Sequence, residues 1–420
     1  MDGTPLGRLK DRGEPEARLH LNPLLVDTAT PPIPEAKAWS AAYNGSAGPL
    51  IDLSQAVPGY PPHPDLLRRL GEAAATREAA SYGDIEGDPN LREAYAAHVA
   101  NLYGGRVAAE NVAITAGCNQ AFYVAMIALA RAGDTVLLPS PWYFNHKMTL
   151  DMLGIEAAPL PCRPEAGFVP DVEDARKLLG GRVRGIVLVT PNNPTGAIYP
   201  AATVRAFQDL CAERGVALVL DETYRDFLAA AELAPHQGFA DPDWPDTLIQ
   251  LYSFSKAYCI PGHRVGAIVA GPKIVGEVAK ILDCLQICAP RTAQLVLPWA
   301  IPALADWRER NRVEILSRTD AFRAAIGRLD GWRMGSIGAY FAYLEHPHAG
   351  RSGSEVAEEL ARERGVLALP GAYFGEGQEK FLRVAFANVG AAEIAALPAR
   401  LAVDLTAGRR TRRLHPARGA

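Results

Sequence analysis

Two uninterrupted apolar runs, Gly185–Thr190 (GIVLVT) and Val216–Leu220 (VALVL), constrain this chain more than any other feature. A strand with one wet face alternates apolar and polar residues. A run without alternation must be covered on both faces, the condition of a parallel strand between two layers of helices. Thr247–Leu251 (TLIQL) and Gly266–Ala270 extend the series. Helical spacing fills the gaps, most clearly over Ala201–Arg214, so the chain reads as successive strand–helix–strand units. The alternation starts near Asn111, with strands expected at Val112–Thr115 and Thr135–Leu138 and helices at Asn119–Arg131 and Trp142–Leu153.

Before it, Pro64–Ala80 has helical spacing, and a turn at Gly87-Asp88-Pro89 leads into a helix from Asn90 that Asp88 or Asn90 can cap. From about Leu297 longer helices take over, then short strands around Trp332–Arg333, Tyr340–Leu344, Val366–Leu369 and Phe381–Ala385. The expected organisation is a large α/β domain over 60–295 with a mostly parallel central sheet. A smaller α+β domain combines the N-terminal arm, 1–59, with 296–405. The basic segment 406–420, carrying Arg409, Arg410, Arg412, Arg413 and Arg418, reads as a solvated tail.

With 420 residues and a net charge of −4, no overall field favours nucleic acid or an anionic membrane. No apolar stretch reaches the ~18 residues of a spanning helix. Six cysteines without a C-x-x-C pair, and no signal-like N-terminus, predict a cytoplasmic protein without a metal site.

The chemistry concentrates in Tyr252–Gly266 (YSFSKAYCIPGHRVG). Lys256 follows a buried run, where burial lowers an ammonium's pKa and frees a nucleophilic amine for imine formation with a carbonyl. Ser253, Ser255 and Arg264 beside it are partners for a phosphate dianion. An amine for an aldehyde and donors for a phosphate describe a site for pyridoxal 5′-phosphate. In open α/β sheets ligands sit off the carboxyl ends of the strands, and three more such ends are polar here. After Val112–Thr115 comes AGCNQ, where Gly117 permits a turn and the N–H groups of Cys118 and Asn119 open a helix, an anion site. After GIVLVT comes PNNPTG, a rigid turn that holds an asparagine amide in place. After VALVL comes DETY, with Asp221 a carboxylate suited to a pyridinium nitrogen and Tyr224 a phenol.

In this order and spacing the motifs resemble the class I/II aminotransferases, which are pyridoxal-phosphate enzymes of fold type I. The resemblance runs from about Ile51 to Phe386. It implies that Lys256 forms the imine with the cofactor and shuttles the proton, and that Asp221 pairs with the ring nitrogen. Tyr224 and Asn193 bond the phenolic oxygen, while Ser253, Arg264 and the Gly117–Asn119 backbone, including Cys118, form the phosphate cup. Tyr143 of PSPWYFNH stacks on the ring, with Trp142 the register alternative. Tyr82 of SYGDIEG reaches the site of a second subunit, implying a homodimer. Arg383 of FLRVAFA clamps the substrate α-carboxylate, and the backbone at Ala56 in LSQAVPG contacts it as well. The implied activity is ping-pong transfer of an amino group from an L-amino acid to a 2-oxo acid.

The chain departs from the family at informative places. Ala56 stands where many members have glycine, and Asn119 where some aspartate-specific relatives have lysine. Arg291 is the nearest candidate for the second carboxylate-binding arginine. Tyr60, Trp142 and Tyr373 suggest a pocket for a neutral or aromatic side chain, or simple core packing. The same motifs would serve a lyase or cyclase that uses this cofactor. A cofactor-sensing regulator would need a helix-turn-helix domain, and the proline-rich residues before Ile51 hold no pair of helical patterns.

Overall fold

The computed structural model describes residues 19–230 and 235–402; the arginine-rich tail and the first part of the N-terminal arm lie outside the described residues. Thirteen strands are numbered in chain order: β1 Ile51–Asp52, β2 Val112–Thr115, β3 Thr135–Ser140, β4 Glu156–Pro161, β5 Val183–Val189, β6 Ala217–Asp221, β7 Leu248–Ser253, β8 Gly266–Val269, β9 Arg333–Gly338, β10 Phe341–Glu345, β11 Val366–Leu367, β12 Leu369–Pro370 and β13 Phe381–Val384. Seven of them form the central sheet in the order β2-β8-β7-β6-β5-β3-β4.

Five neighbours in that sheet, β7 through β4, run parallel, as the apolar runs require. β8 is antiparallel to both β7 and β2. Two reversals restore direction, so β2 points the same way as β7, and the carboxyl ends of β2, β5, β6 and β7 share one edge. Burial on both faces is visible within β5. Ile186 and Leu188 belong to the core on one side with Leu91, Tyr95 and Phe207, and Val187 and Val189 to the core on the other with Phe122, Val275 and Val278. Each such side chain contributes about 1.5–3 kcal/mol when fully buried.

The helix Pro89–Tyr103 begins as its sequence suggests: the Asp88 carboxylate accepts from Asn90 N–H at 3.0 Å, and Gly104 ends it at φ 71°. A second sheet, β12-β13-β10-β9, is antiparallel. β1 pairs in parallel with β11, Ile51 opposite Val366, which stitches the segment before the large sheet to the segment after it. The helix Ala305–Ile326 packs along the helix Ala391–Leu401.

Three local expectations needed adjustment. β4 is not expected from the sequence, because EAAPLP has no β-branched or aromatic residue and carries two prolines; it lies at the sheet edge, where a missing N–H costs no ladder bond. The helix expected over Pro64–Ala80 ends at Ala74, since only Leu66 and Leu70 find a core and the Thr76 hydroxyl takes the Ala73 carbonyl at 2.7 Å. The helix expected from Trp142 starts at Phe144, after Pro141, which cannot donate to a helix.

Gly196 of PNNPTG sits at φ 75°, and a Cβ there would meet the Phe341 carbonyl oxygen at 2.2 Å. Replacing Gly196 with alanine is expected to destabilise the protein by at least about 1–3 kcal/mol, through backbone strain and the clash. Gly180→Ala, at a position with open space, should leave the urea midpoint nearly unchanged; equal midpoints for the two variants would refute the assignment.

Candidate active site

The four converging strand ends each present a side chain by a separate local device. Beyond β7, the Ser253 hydroxyl accepts from Ser255 N–H at 3.3 Å and caps the short helix Phe254–Ala257, which turns Lys256 away from the strand. Beyond β5, Asn192 staples its own turn by accepting from Thr195 N–H at 3.0 Å and donating to Tyr199 Oη at 3.1 Å. Asn193 is thereby left to face outward into the cleft. Beyond β6, the Thr223 N–H and hydroxyl donate to Asp221 Oδ1 at 3.0 and 2.7 Å. Beyond β2, Gly117 adopts φ 89°, and a Cβ there would lie 2.1 Å from Arg264 Nη2, so the guanidinium rests against bare backbone.

These ends enclose a cleft of about 310 Å³. Cys118, Asn119, Tyr143, Asn193, Asp221, Tyr224, Ser253, Lys256 and Arg264 line it together. Of the two aromatic candidates, Tyr143 lines the cleft and Trp142 lines a neighbouring cavity. Arg383 and Ala56 stand in the wall rather than on the lining. The Arg383 guanidinium is buried, donates to the Ser54 carbonyl and to Asn193 Oδ1 at 3.3 Å, and has an unpartnered Nε. The Ala56 carbonyl accepts from Lys256 Nζ at 2.5 Å. Tyr82 is 76% exposed and outside the cleft. Tyr60 packs edge-on against Trp307, and Tyr373 stacks on Trp39, so neither ring lines the cleft. Arg291 lies 3.4 Å from Asp88, also outside the lining.

Burial, then the nearby Arg264 and Arg383 charges, pulls the Lys256 ammonium down to about 8. Burial, then Asp221, pushes the Cys118 thiol well above its ordinary value, so Lys256 is the poised nucleophile between them. For Asp221, burial pushes upward, but His146 and the Thr223 donors outweigh it and hold the carboxyl below the usual carboxylate value. Burial also pulls Arg383 down to about 10, which leaves it cationic at neutral pH.

Sequence reasoning missed His146. Its Nε2 lies 3.3 Å from Asp221 Oδ2, and its ring stacks on Phe122 at 3.8 Å. The available signal was its place three residues beyond Tyr143, one helical turn from a cleft residue. Ser255 also proves as well placed as Ser253, being buried in the lining with its hydroxyl unpartnered.

The chemistry of the cleft, an amine, a carboxylate and a guanidinium on one lining, has counterparts in known proteins. The profile of the family described as "Aminotransferase class I and II" matches residues 48–401. The aromatic aminotransferase ISS1 of Arabidopsis thaliana is 28% identical over 359 residues, covering 84% of this chain and 88% of that protein. The valine–pyruvate aminotransferase of Mycobacterium tuberculosis is 29% identical, covering 85% of this chain and 92% of its own. Substrate-bound BacF of Bacillus subtilis superposes with a TM-score of 0.82 at 24% identity, over 91% of this chain and 98% of that one. The fold is therefore that of the fold type I aminotransferases. The chain belongs to the class I and II aminotransferase family, and the protein is an amino-acid aminotransferase.

Because Asp221 is depressed in the folded state, its contribution to stability is present above the ordinary carboxylate pKa of about 3.9 and is lost as pH falls through the lower folded value. Asp221→Asn should flatten the dependence of the urea midpoint on pH below about 4. An unaltered acid slope would show that the carboxylate is not held as described.

Proposed function

We propose that the protein transfers amino groups between a neutral or aromatic L-amino acid and a 2-oxo acid, using pyridoxal 5′-phosphate held in the β2–β5–β6–β7 cleft. The observation that carries this reading is the placement of Lys256, Asp221 and Arg264 on one lining. The residues fit the cofactor. The Ser255 hydroxyl is buried without a partner, Ser253 and Arg264 stand beside it, and the N–H groups at the start of the helix Cys118–Leu129 add further donors for a phosphate. The bare Gly117 backbone lets the Arg264 guanidinium lie against the start of that helix.

Bound there, the cofactor supplies an electrophilic aldehyde and a ring that accepts electrons once its nitrogen is protonated. Asp221, kept ionised by His146 and Thr223, would hold that proton on the nitrogen. Asn193 Nδ2 and the Tyr224 hydroxyl would donate to the phenolic oxygen, and the Tyr143 ring would pack against the cofactor ring. Lys256 would hold the cofactor's aldehyde, give way to the donor's amine, and then serve as the base that accepts the proton lost from the donor's Cα. Arg383 exchanges its contacts with Ser54 and Asn193 for the two oxygens of the α-carboxylate, a bidentate fit that lysine cannot reproduce. Both Lys256 and Arg264 are engaged in these roles, and they are the only cationic side chains on the lining among the described residues. Among the described residues, a distal carboxylate on the substrate finds no further cation on the lining, which favours neutral and aromatic donors. Tyr82, exposed and outside the cleft, is available to a second copy of the chain.

Lys256→Ala should abolish turnover, a loss of about a thousandfold or more, and the variant should form no borohydride-fixable adduct at residue 256. In the unsubstituted protein, the rate of that adduct should rise with pH through about 8, as Lys256 loses its proton. An adduct at another lysine would overturn the assignment. In a panel of donors, kcat/KM for phenylalanine or leucine should exceed that for aspartate by about tenfold or more; the reverse order would refute the substrate class.

A further inference from the structure

Beside the cleft lies a second cavity of about 380 Å³, bounded by the linker Ala29–Pro32, the helix Phe144–Leu153 and the loop after β12. We propose that it binds a small organic ammonium ion. Trp142, Phe144, Met148 and Tyr373 form aromatic and thioether walls, and Glu376 and Glu379 stand at the rim. Lys147 and Asp151, also in the wall, neutralise each other through contacts of 2.5 and 2.7 Å. Among the described residues, neither Glu376 nor Glu379 is in an ion pair; Glu379 Oε1 accepts only from Gly377 N–H, at 3.2 Å.

Charge complementarity selects the occupant. An alkylated ammonium gains from the negative faces of the aromatic rings, from the polarisable thioether and from two uncompensated carboxylates. A neutral molecule of the same shape gains only the walls, and an anion is repelled by the rim. One cation–aromatic contact is already present in the wall, where Lys147 Nζ lies 5.8 Å from the Trp142 ring centroid. The wall is preformed: the Tyr373 hydroxyl donates to Glu35 at 2.9 Å, and its ring stacks on Trp39 at 6.5 Å.

The cavity is distinct from the reaction cleft but shares a partition with it. Trp142 faces the cavity and the next residue, Tyr143, faces the cleft. Trp142 N–H donates to the Phe374 carbonyl at 2.8 Å, and the Phe374 ring lies 5.5 Å from the Arg383 guanidinium. A cation seated between Trp142 and Tyr373 therefore touches the neighbours of a cleft residue on one side and of the carboxylate clamp on the other.

The test uses choline, whose quaternary nitrogen cannot form an imine, and its uncharged carbon isostere 3,3-dimethylbutan-1-ol, titrated calorimetrically into the purified protein at low ionic strength. Saturable binding of choline is expected, with the isostere roughly tenfold or more weaker. The double variant Glu376→Gln, Glu379→Gln should lose affinity by a similar factor while keeping the parent thermal midpoint and basal transamination. Trp142→Leu provides a second, independent reduction. The proposal is overturned by equal affinity for choline and the isostere, by undiminished choline binding in the double variant, by no saturable binding, or by competition between choline and the amino-acid donor, which would place the ion in the cleft instead.

Discussion

The carboxylate of Asp221 is the point on which the rest of the site depends. It stands at the end of a strand with no wet face, where burial alone would drive it to its neutral form. Thr223 supplies two donors to one oxygen, and His146 faces the other. These partners reverse the effect of burial and keep a negative charge inside the sheet edge. The next residue, Glu222, points away and is also fully buried, in contact with Tyr103, Gln250 and His236. Arg225 lies beyond, its guanidinium 4.1 Å from the Tyr252 ring centroid. The DETY turn is thus gripped from both sides, and a buried network of this kind limits how far Asp221 can move.

Lys256 shows the opposite electrostatics for a related reason. It too is enclosed, but its neighbours Arg264 and Arg383 share its sign, so burial and Coulomb repulsion act together to release its proton. A carboxylate kept charged and an amine kept ready to lose its charge line one cleft. Both groups are pulled below their ordinary values, which leaves Asp221 charged and Lys256 able to give up its proton near neutral pH.

Much of this was legible in the chain. The unbroken apolar runs at Gly185–Thr190 and Val216–Leu220 required two-sided burial, and each was followed by residues that only a site would use. Lys256, Asp221, Tyr224 and Arg264 could be named because each stands just beyond a strand or in a turn whose shape proline or glycine sets, whereas the PNNPTG turn pointed to an asparagine and the family resemblance to Asn193. His146 could not, since it is presented by a helix and acts on Asp221 through space. β4 escaped notice because an edge strand is only half covered and needs no apolar run. The Pro64–Ala74 helix was overextended, because helical spacing persists past the last residue that finds a core.

By itself the sequence determined which segments had to be buried and which chemical groups would stand at their ends, because periodicity and turn chemistry are local properties. The tertiary structure decided which of those groups meet. The antiparallel β8 restores β2 to the direction of β7, and that reversal puts Cys118 and Asn119 at the same edge as Lys256. It also decided that Tyr143 rather than Trp142 faces the cleft, and that Arg383 waits in the wall against the Ser54 carbonyl and Asn193. Those outcomes follow from strand direction and from packing between residues more than a hundred positions apart, which no local pattern contains.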